Sequence, residues 1–171
     1  MTQTLTVTPP DTPVTVENLT QWNVNAFLLE LRKVPQPILD AFNENGWTFV
    51  IGTEYLADLS RKLGVNCIGA AAYTEKQIYV SEASAILHEF GHFLDCAMGF
   101  PQEHKDLCAL EAAFAPMKQH AKSNSLEYFA EFFAYWCSGN TRILEQLKEL
   151  TPETYAYFDG LSSAWTAGVC D

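Results

Sequence analysis

Apolar positions along the chain follow two different patterns, and the change between them comes near residue 80. From Ser81 onward they return every three or four residues, as in Ile86, Phe90, Phe93 and Ala97, or Leu126, Phe129, Phe133 and Trp136. That spacing places one stripe on an α-helix. Upstream the apolar runs are short. The run 47–51 lies between Gly46 and Gly52, and 67–73 is separated from 77–80 by the polar Thr74-Glu75-Lys76. Short runs bounded by turn residues predict strands, the second and third as a hairpin or a neighbouring pair.

Helices are expected in the first half as well. One is predicted over 17–32, stopped by Pro35 and Pro37, and a shorter one over 37–43, closed by Gly46. A third is capped by Thr53 and ends at Gly64, and Thr151-Pro152 provides an N-cap followed by proline at the first helical position. The Thr- and Pro-rich residues 1–14 read as an extended or disordered lead-in. Residues 15–171 then form a single α+β domain, with a small mixed sheet in the N-terminal half packed on a mostly helical C-terminal half.

Composition supports a folded chain. Of 171 residues 48% are hydrophobic and 13% aromatic, enough for a sizeable core and too apolar for disorder. No 18 apolar residues run together, so no transmembrane helix is predicted. The formal charge is −11, which argues against nucleic acid as a partner, because phosphate binding needs a basic footprint. The excess is concentrated: residues 1–80 hold 8 acids and 5 bases, residues 81–171 hold 13 and 5. Such a half attracts a metal ion or a cationic peptide, or serves simply as a solvated surface.

The five cysteines are odd in number and form no CxxC pair, neither a disulfide framework nor a zinc-finger pattern. The first residues lack a basic segment and an apolar core, so no signal peptide is visible. This predicts a cytoplasmic protein, or a secreted or toxin-delivered one if the chain is trimmed or exported unconventionally.

One stretch carries candidate chemistry: His88-Glu89-Phe90-Gly91-His92. Residues four apart share a helical face one turn apart, so His88 and His92 can aim their imidazoles at one ion. Glu89 flanks that point and can take a proton from water there. Gly91 costs the helix roughly 0.5–1 kcal/mol relative to alanine, and close packing against another element is one reason to carry it. A catalytic zinc site needs a third protein ligand. Glu127 and Glu131, four apart on an aromatic-rich helix, repel one another and resist burial unless paired or bound to metal. Glu127 is the candidate third ligand, and Glu131 the carboxylate that orients a ligating histidine. Against this, Asn124 and Glu127 also have capping-box spacing, which needs no metal. Cys96 continues the ladder of His88 and His92, but three successive turns span too far for one ion; it and Cys137 read as core or supporting residues.

The blocks HEFGHFLD (88–95) and NSLEYFAEFFAYW (124–136) resemble the catalytic domain of anthrax toxin lethal factor and its relatives, the Pro-Pro endopeptidases. In that family the second block has an acidic zinc ligand, two aromatics, alanine and a second acid, matching Glu127-Tyr128-Phe129-Ala130-Glu131. Weaker resemblance extends to Ala72-Tyr73, to 77–80 and to the segment from Thr151 to Tyr155. The resemblance implies a zincin-like fold and a zinc endopeptidase with a glutamate ligand: His88, His92 and Glu127 on Zn²⁺, and Glu89 as general base. It also implies an extended peptide or protein substrate lying along a sheet edge, with Gly69, Ala71 and Tyr73 as substrate-binding residues; the small residues 69–72 alternatively pack under a helix. The family places a tyrosine hydroxyl near the substrate carbonyl, seven residues before the glutamate ligand. Here that position is His120, which can donate to a developing oxyanion or be a surface histidine with Tyr73 or Tyr128 in its place. His104, in a polar stretch, reads as surface.

Two other functions fit the same residues. Regulator-cleaving metallopeptidases of the ImmA/IrrE type also carry HExxH followed by a glutamate on an Ala/Phe-rich helix. A non-catalytic interaction module retaining zinc is the rival of a different class.

Overall fold

The computed structural model describes residues 2–6, 13–17 and 23–167. Its chain divides into two compact units, Met1–Glu89 and Phe90–Asp171, and the division falls inside one continuous helix. The fold is α+β, as the sequence predicts.

The first unit is built on a mixed sheet with strand order β1-β2-β3-β5-β4, comprising β1 (Thr2–Thr6), β2 (Pro13–Glu17), β3 (Thr48–Ile51), β4 (Gly69–Ala72) and β5 (Gln77–Val80). Strands β2, β3 and β5 run parallel, while β1 and β4 are antiparallel to their neighbours. Val14, Val16, Phe49, Ile51, Ile78 and Val80 are all fully buried, so the short apolar runs supply the sheet's core. The predicted hairpin forms: Ala72 pairs with Gln77 and Gly69 with Val80.

Two elements differ from the sequence reading. Thr2–Thr6, inside the predicted lead-in, pairs residue by residue with Pro13–Glu17. Threonine and valine, β-branched, favour strands when a neighbour is available, and alternation was hidden among the prolines. The helix predicted over 17–32 is shorter, α1 being Val24–Leu31. Glu17 belongs to β2, and 18–22 lie outside the described residues.

Helix α2 (Gln36–Glu44) starts with Pro37 in its first turn and buries Ile38, Leu39 and Phe42. Helix α3 (Glu54–Leu63) ends at Gly64, whose φ of 70° is the left-handed conformation that glycine adopts without a Cβ clash. Its N-cap bond does not come from the Thr53 side chain. The Glu17 carboxylate on β2 accepts from Thr53 N at 2.9 Å and Glu54 N at 3.2 Å, adding negative charge where the helix N-terminus attracts it. Gly52 is needed for this, since a Cβ there would sit 2.0 Å from Glu17 Oε2.

Helix α4 (Ile86–Ala97) leaves the first unit and enters the second, which continues with α5 (Gln102–Glu111), α6 (Ser125–Ser138), α7 (Thr141–Leu150) and α8 (Pro152–Ala167). The second unit's core is aromatic: Phe90, Phe93, Phe129, Phe132, Phe133 and Phe158 are each no more than 2% exposed. The Phe132 and Phe158 rings stack with centroids 4.7 Å apart, within the favourable range for aromatic pairs. Leu126, expected on the apolar face of α6, is exposed, and Tyr128 is buried instead. No helix among the described residues is long and apolar enough to cross a membrane.

Helix α8 begins as predicted at Thr151-Pro152, but a buried acid completes its cap. Glu111, at the end of α5, accepts from Glu153 N at 2.9 Å, Thr154 N at 2.8 Å and Thr154 Oγ1 at 2.6 Å. Its carboxylate satisfies amides that a helix start otherwise leaves unpaired. Replacing Glu111 with alanine strands these donors out of water and is expected to cost about 2–3 kcal/mol, measured by urea unfolding, with Glu111→Gln retaining part of the stability.

Candidate metal centre

Helix α4 is buried along almost its whole length: Phe90, Phe93 and Asp95 are at most 1% exposed, and Glu89 and His92 are also buried. A helix enclosed this way cannot hide its polar groups on a wet face, so they need partners or a ligand. Spacing places His88 and His92 on one face, and Glu127 completes the set. One ligand atom from each of His88, His92 and Glu127 lies within 4.8 Å of the others. His92 Nε2 stands 3.5 Å from Glu127 Oε1.

Glu127 reaches this position through the start of α6. Asn124 is the N-cap, and its side-chain oxygen accepts from Glu127 N at 3.0 Å. The capping geometry and the proximity to the histidines therefore coexist: the backbone amide serves the cap while the carboxylate is left for the imidazoles. The two readings of this glutamate were never exclusive.

Gly91 explains how α4 and α6 come so close. A Cβ built on it would lie 2.6 Å from Ala130 Cα and 2.8 Å from Ala130 O. Main chain meets main chain, with no flexible tip to yield. The contact lies one residue before His92 and three residues after Glu127, so it fixes the separation of those two side chains.

His120 sits on a short 3₁₀ turn, His120–Lys122, and its Nε2 is 3.1 Å from Glu127 Oε2. The side chain is 80% exposed. The Glu127 carboxylate is thus flanked by an imidazole on each oxygen. Glu131, one turn further along α6, is half-buried and engages the Tyr135 hydroxyl, whose pKa is raised to about 12, chiefly by burial and then by the Glu131 charge and hydrogen bond.

Tyr128 is buried, with its hydroxyl 3.1 Å from Thr154 Oγ1, and burial raises its pKa to about 12. It has no access to a substrate and is removed as a replacement for His120. Tyr73 follows β4 and meets Trp47 edge-on, centroids 6.3 Å apart. Gly69 and Ala71 lie on β4, the last strand in the sheet order. Cys96 is outside the three-residue group, and burial pushes the Cys137 thiol up to about 12, leaving it a poor ligand and nucleophile.

His104 is not a surface residue. It is 3% exposed, its Nδ1 lies 2.6 Å from Asp95 Oδ1, its Nε2 lies 2.8 Å from the Tyr157 hydroxyl, and its ring stacks on Phe129 at 4.0 Å. Polar neighbours on α5 concealed it in the sequence. The nine-residue spacing from Asp95 was the available signal, since a buried acid at the end of a buried helix requires a donor.

Fold and site together define a mixed sheet followed by a helical bundle whose helices present a His-His-Glu group. Residues 68–161 match the family model described as anthrax toxin lethal factor, N- and C-terminal domain, and the chain belongs to that family. Among solved structures it is similar to the Pro-Pro endopeptidase PPEP-2 from Paenibacillus alvei, with a TM-score of 0.66 at 19% identity, covering 86% of this chain and 96% of that one. No curated protein sequence matches the chain.

Alanine normally outperforms glycine inside a helix, so Gly91→Ala discriminates between a tolerated glycine and a required one. We expect it to lower stability by about 1–3 kcal/mol through overpacking, read as a fall in the thermal unfolding midpoint.

Proposed function

We propose that this chain is a zinc-dependent endopeptidase acting on extended peptides or protein segments. The observation that carries the reading is the convergence of His88, His92 and Glu127. Two imidazoles and one carboxylate are the donor set of a catalytic zinc site with a position open to solvent, and mutual separations within 4.8 Å suit ligands arranged around a single small ion. Membership of the lethal factor family and likeness to an endopeptidase in fold support a peptidase over an interaction module.

His88, His92 and Glu127 would hold the metal, which when bound supplies Lewis acidity and makes water nucleophilic near neutral pH. The protein's own residues manage the protons. Glu89, buried and next to His88 on the same helix, accepts a proton from the attacking water and returns it to the leaving amine nitrogen. Glu131 orients the ligand set from one turn along α6. The substrate would pair its backbone with the β4 edge at Gly69, Ala71 and Tyr73. His120, exposed and in the chain position of the family's tyrosine, would donate to the oxygen that gains charge.

The decisive experiment combines metal analysis with a peptide library that includes proline-containing sequences. The purified protein is expected to hold one zinc per chain and to cleave members of the library, and a chelator should abolish cleavage until zinc is restored. Glu89→Ala should retain the metal and lose turnover. A protein without stoichiometric zinc after expression in metal-replete medium, or Glu89→Ala with unchanged turnover, would refute the proposal.

His120 is tested separately. With an oxyanion role, His120→Ala lowers kcat by about 10²-fold while metal affinity, measured by chelator competition, changes little. A tenfold loss of affinity instead would assign His120 to holding the Glu127 carboxylate.

A further inference from the structure

We propose that Gly69 is a positioning residue for Glu89: its missing side chain is the space in which the carboxylate of the proposed base resides. A Cβ built on Gly69 would lie 2.4 Å from Glu89 Oε1, 2.9 Å from Glu89 Cγ and 2.9 Å from Ala85 Cβ. All of these atoms belong to the first compact unit. Real Cβ contacts do not occur at such distances, so any other residue at position 69 displaces something.

What moves follows from how each neighbour is held. Gly69 pairs with Val80, and immediately before it Ile68 O accepts from Ser81 N at 2.9 Å and from Ser81 Oγ at 3.2 Å. The strand backbone is therefore pinned at the point of contact. Ala85 is 6% exposed, in the turn Ala83–Ala85 that leads into α4, with its amide donating to Glu82 O at 3.1 Å. The Glu89 carboxylate is the far end of a flexible side chain and is the cheapest to shift. Restoring an ordinary carbon–oxygen contact from 2.4 Å requires a movement of about 1 Å, and a misplacement of that size in a reacting group costs on the order of 10²-fold in rate. Gly69 has an ordinary negative-φ backbone, so the requirement is for space and not for conformation.

This assignment rests on the reading of Glu89 as the proton acceptor, and it gives Gly69 a role separate from pairing with a substrate. A residue that only contacts substrate would alter KM when enlarged, whereas one that seats the base alters kcat.

The test is a double-mutant cycle with Gly69→Ala and Glu89→Ala in the full zinc-loaded chain. Gly69→Ala alone should lower kcat about 100-fold, leave KM within about threefold and retain one zinc per chain. In the Glu89→Ala background it should have no further effect on the residual rate, because the displaced group is absent. Thermal unfolding provides a second readout independent of activity. Gly69→Ala should lower the midpoint clearly more when Glu89 is present than in the Glu89→Ala background, where only the contact with Ala85 Cβ remains. If Gly69→Ala alone fails to fold while the double variant folds and binds zinc, the steric claim is supported; equal failure of both overturns it. Wild-type kcat in Gly69→Ala, or additive losses in rate and midpoint, also overturn it. Should the wild type cleave no peptide, the proposed function fails, and the unfolding cycle still decides whether Gly69 seats the Glu89 carboxylate.

Discussion

The approach of α4 and α6 at Gly91 and Ala130 is the constraint on which the rest of the site depends. Helices that cross through ordinary side chains keep their axes 8–10 Å apart. Here a single absent Cβ lets the α4 main chain reach Ala130 Cα at what would be 2.6 Å from an added methyl. That approach brings His92 to 3.5 Å from Glu127, although both side chains are short and neither can extend across a wider crossing. His88 and Glu89 depend on it less directly: they ride on the same helix as His92, so helical geometry alone sets their spacing from it. The separation of Glu127 from that trio is the quantity that packing must supply. Alanine at 130, in a run otherwise dominated by aromatics, is the complementary half of the device.

Three acidic side chains show how the fold handles a surplus of negative charge. Glu17 lies against Gly52 and caps α3. Glu111 accepts three hydrogen bonds at the start of α8. Glu127 gives its amide to Asn124 and presents its carboxylate to two imidazoles. The first two are consumed by backbone amides and have little left with which to bind a cation or move a proton. Glu127 differs because its own backbone is capped by a neighbour, so the carboxylate is not needed for helix initiation. The acid excused from structural duty is the one whose carboxylate faces the imidazoles.

Much of the candidate site's make-up was legible in the chain because it follows from local periodicity. The i, i+4 histidines need only a helix, and the alternation of short apolar runs with glycines marks β3 and the β4–β5 hairpin. Thr151-Pro152 likewise announces α8. The features that local pattern does not reveal depend on partners distant in sequence. The Thr53 cap is replaced by Glu17 from a strand 36 residues earlier, and nothing local in either segment reveals the exchange. Residues 2–6 become a strand only because 13–17 are beside them. His104 looks solvated among Gln102, Glu103, Lys105 and Asp106, yet it is the one residue of that turn facing inward. Gly91 was visible as an anomaly, and its reason became visible only with Ala130 against it.

The buried Asp95–His104–Tyr157 chain gives α4 a second anchor beyond the crossing. A proton on His104 Nδ1 donates to the Asp95 carboxylate, and Nε2 is left to accept from Tyr157, whose pKa is raised to about 12, first by burial and then by the Glu103 and Asp95 charges. The phenol therefore keeps its proton throughout the neutral range, and both nitrogens of the imidazole have a partner. Complete satisfaction is what makes a buried polar network rigid instead of costly. Its members come from the end of α4, from α5 and from α8, and the His104 ring lies on Phe129 of α6, two residues from Glu127. The network thus restrains rotation of α4 about its own axis, which the Gly91–Ala130 contact leaves undetermined because two backbones touching at one point can still roll. Close approach sets the distance between the histidine helix and its glutamate, and the imidazole network sets which face of that helix is turned toward it.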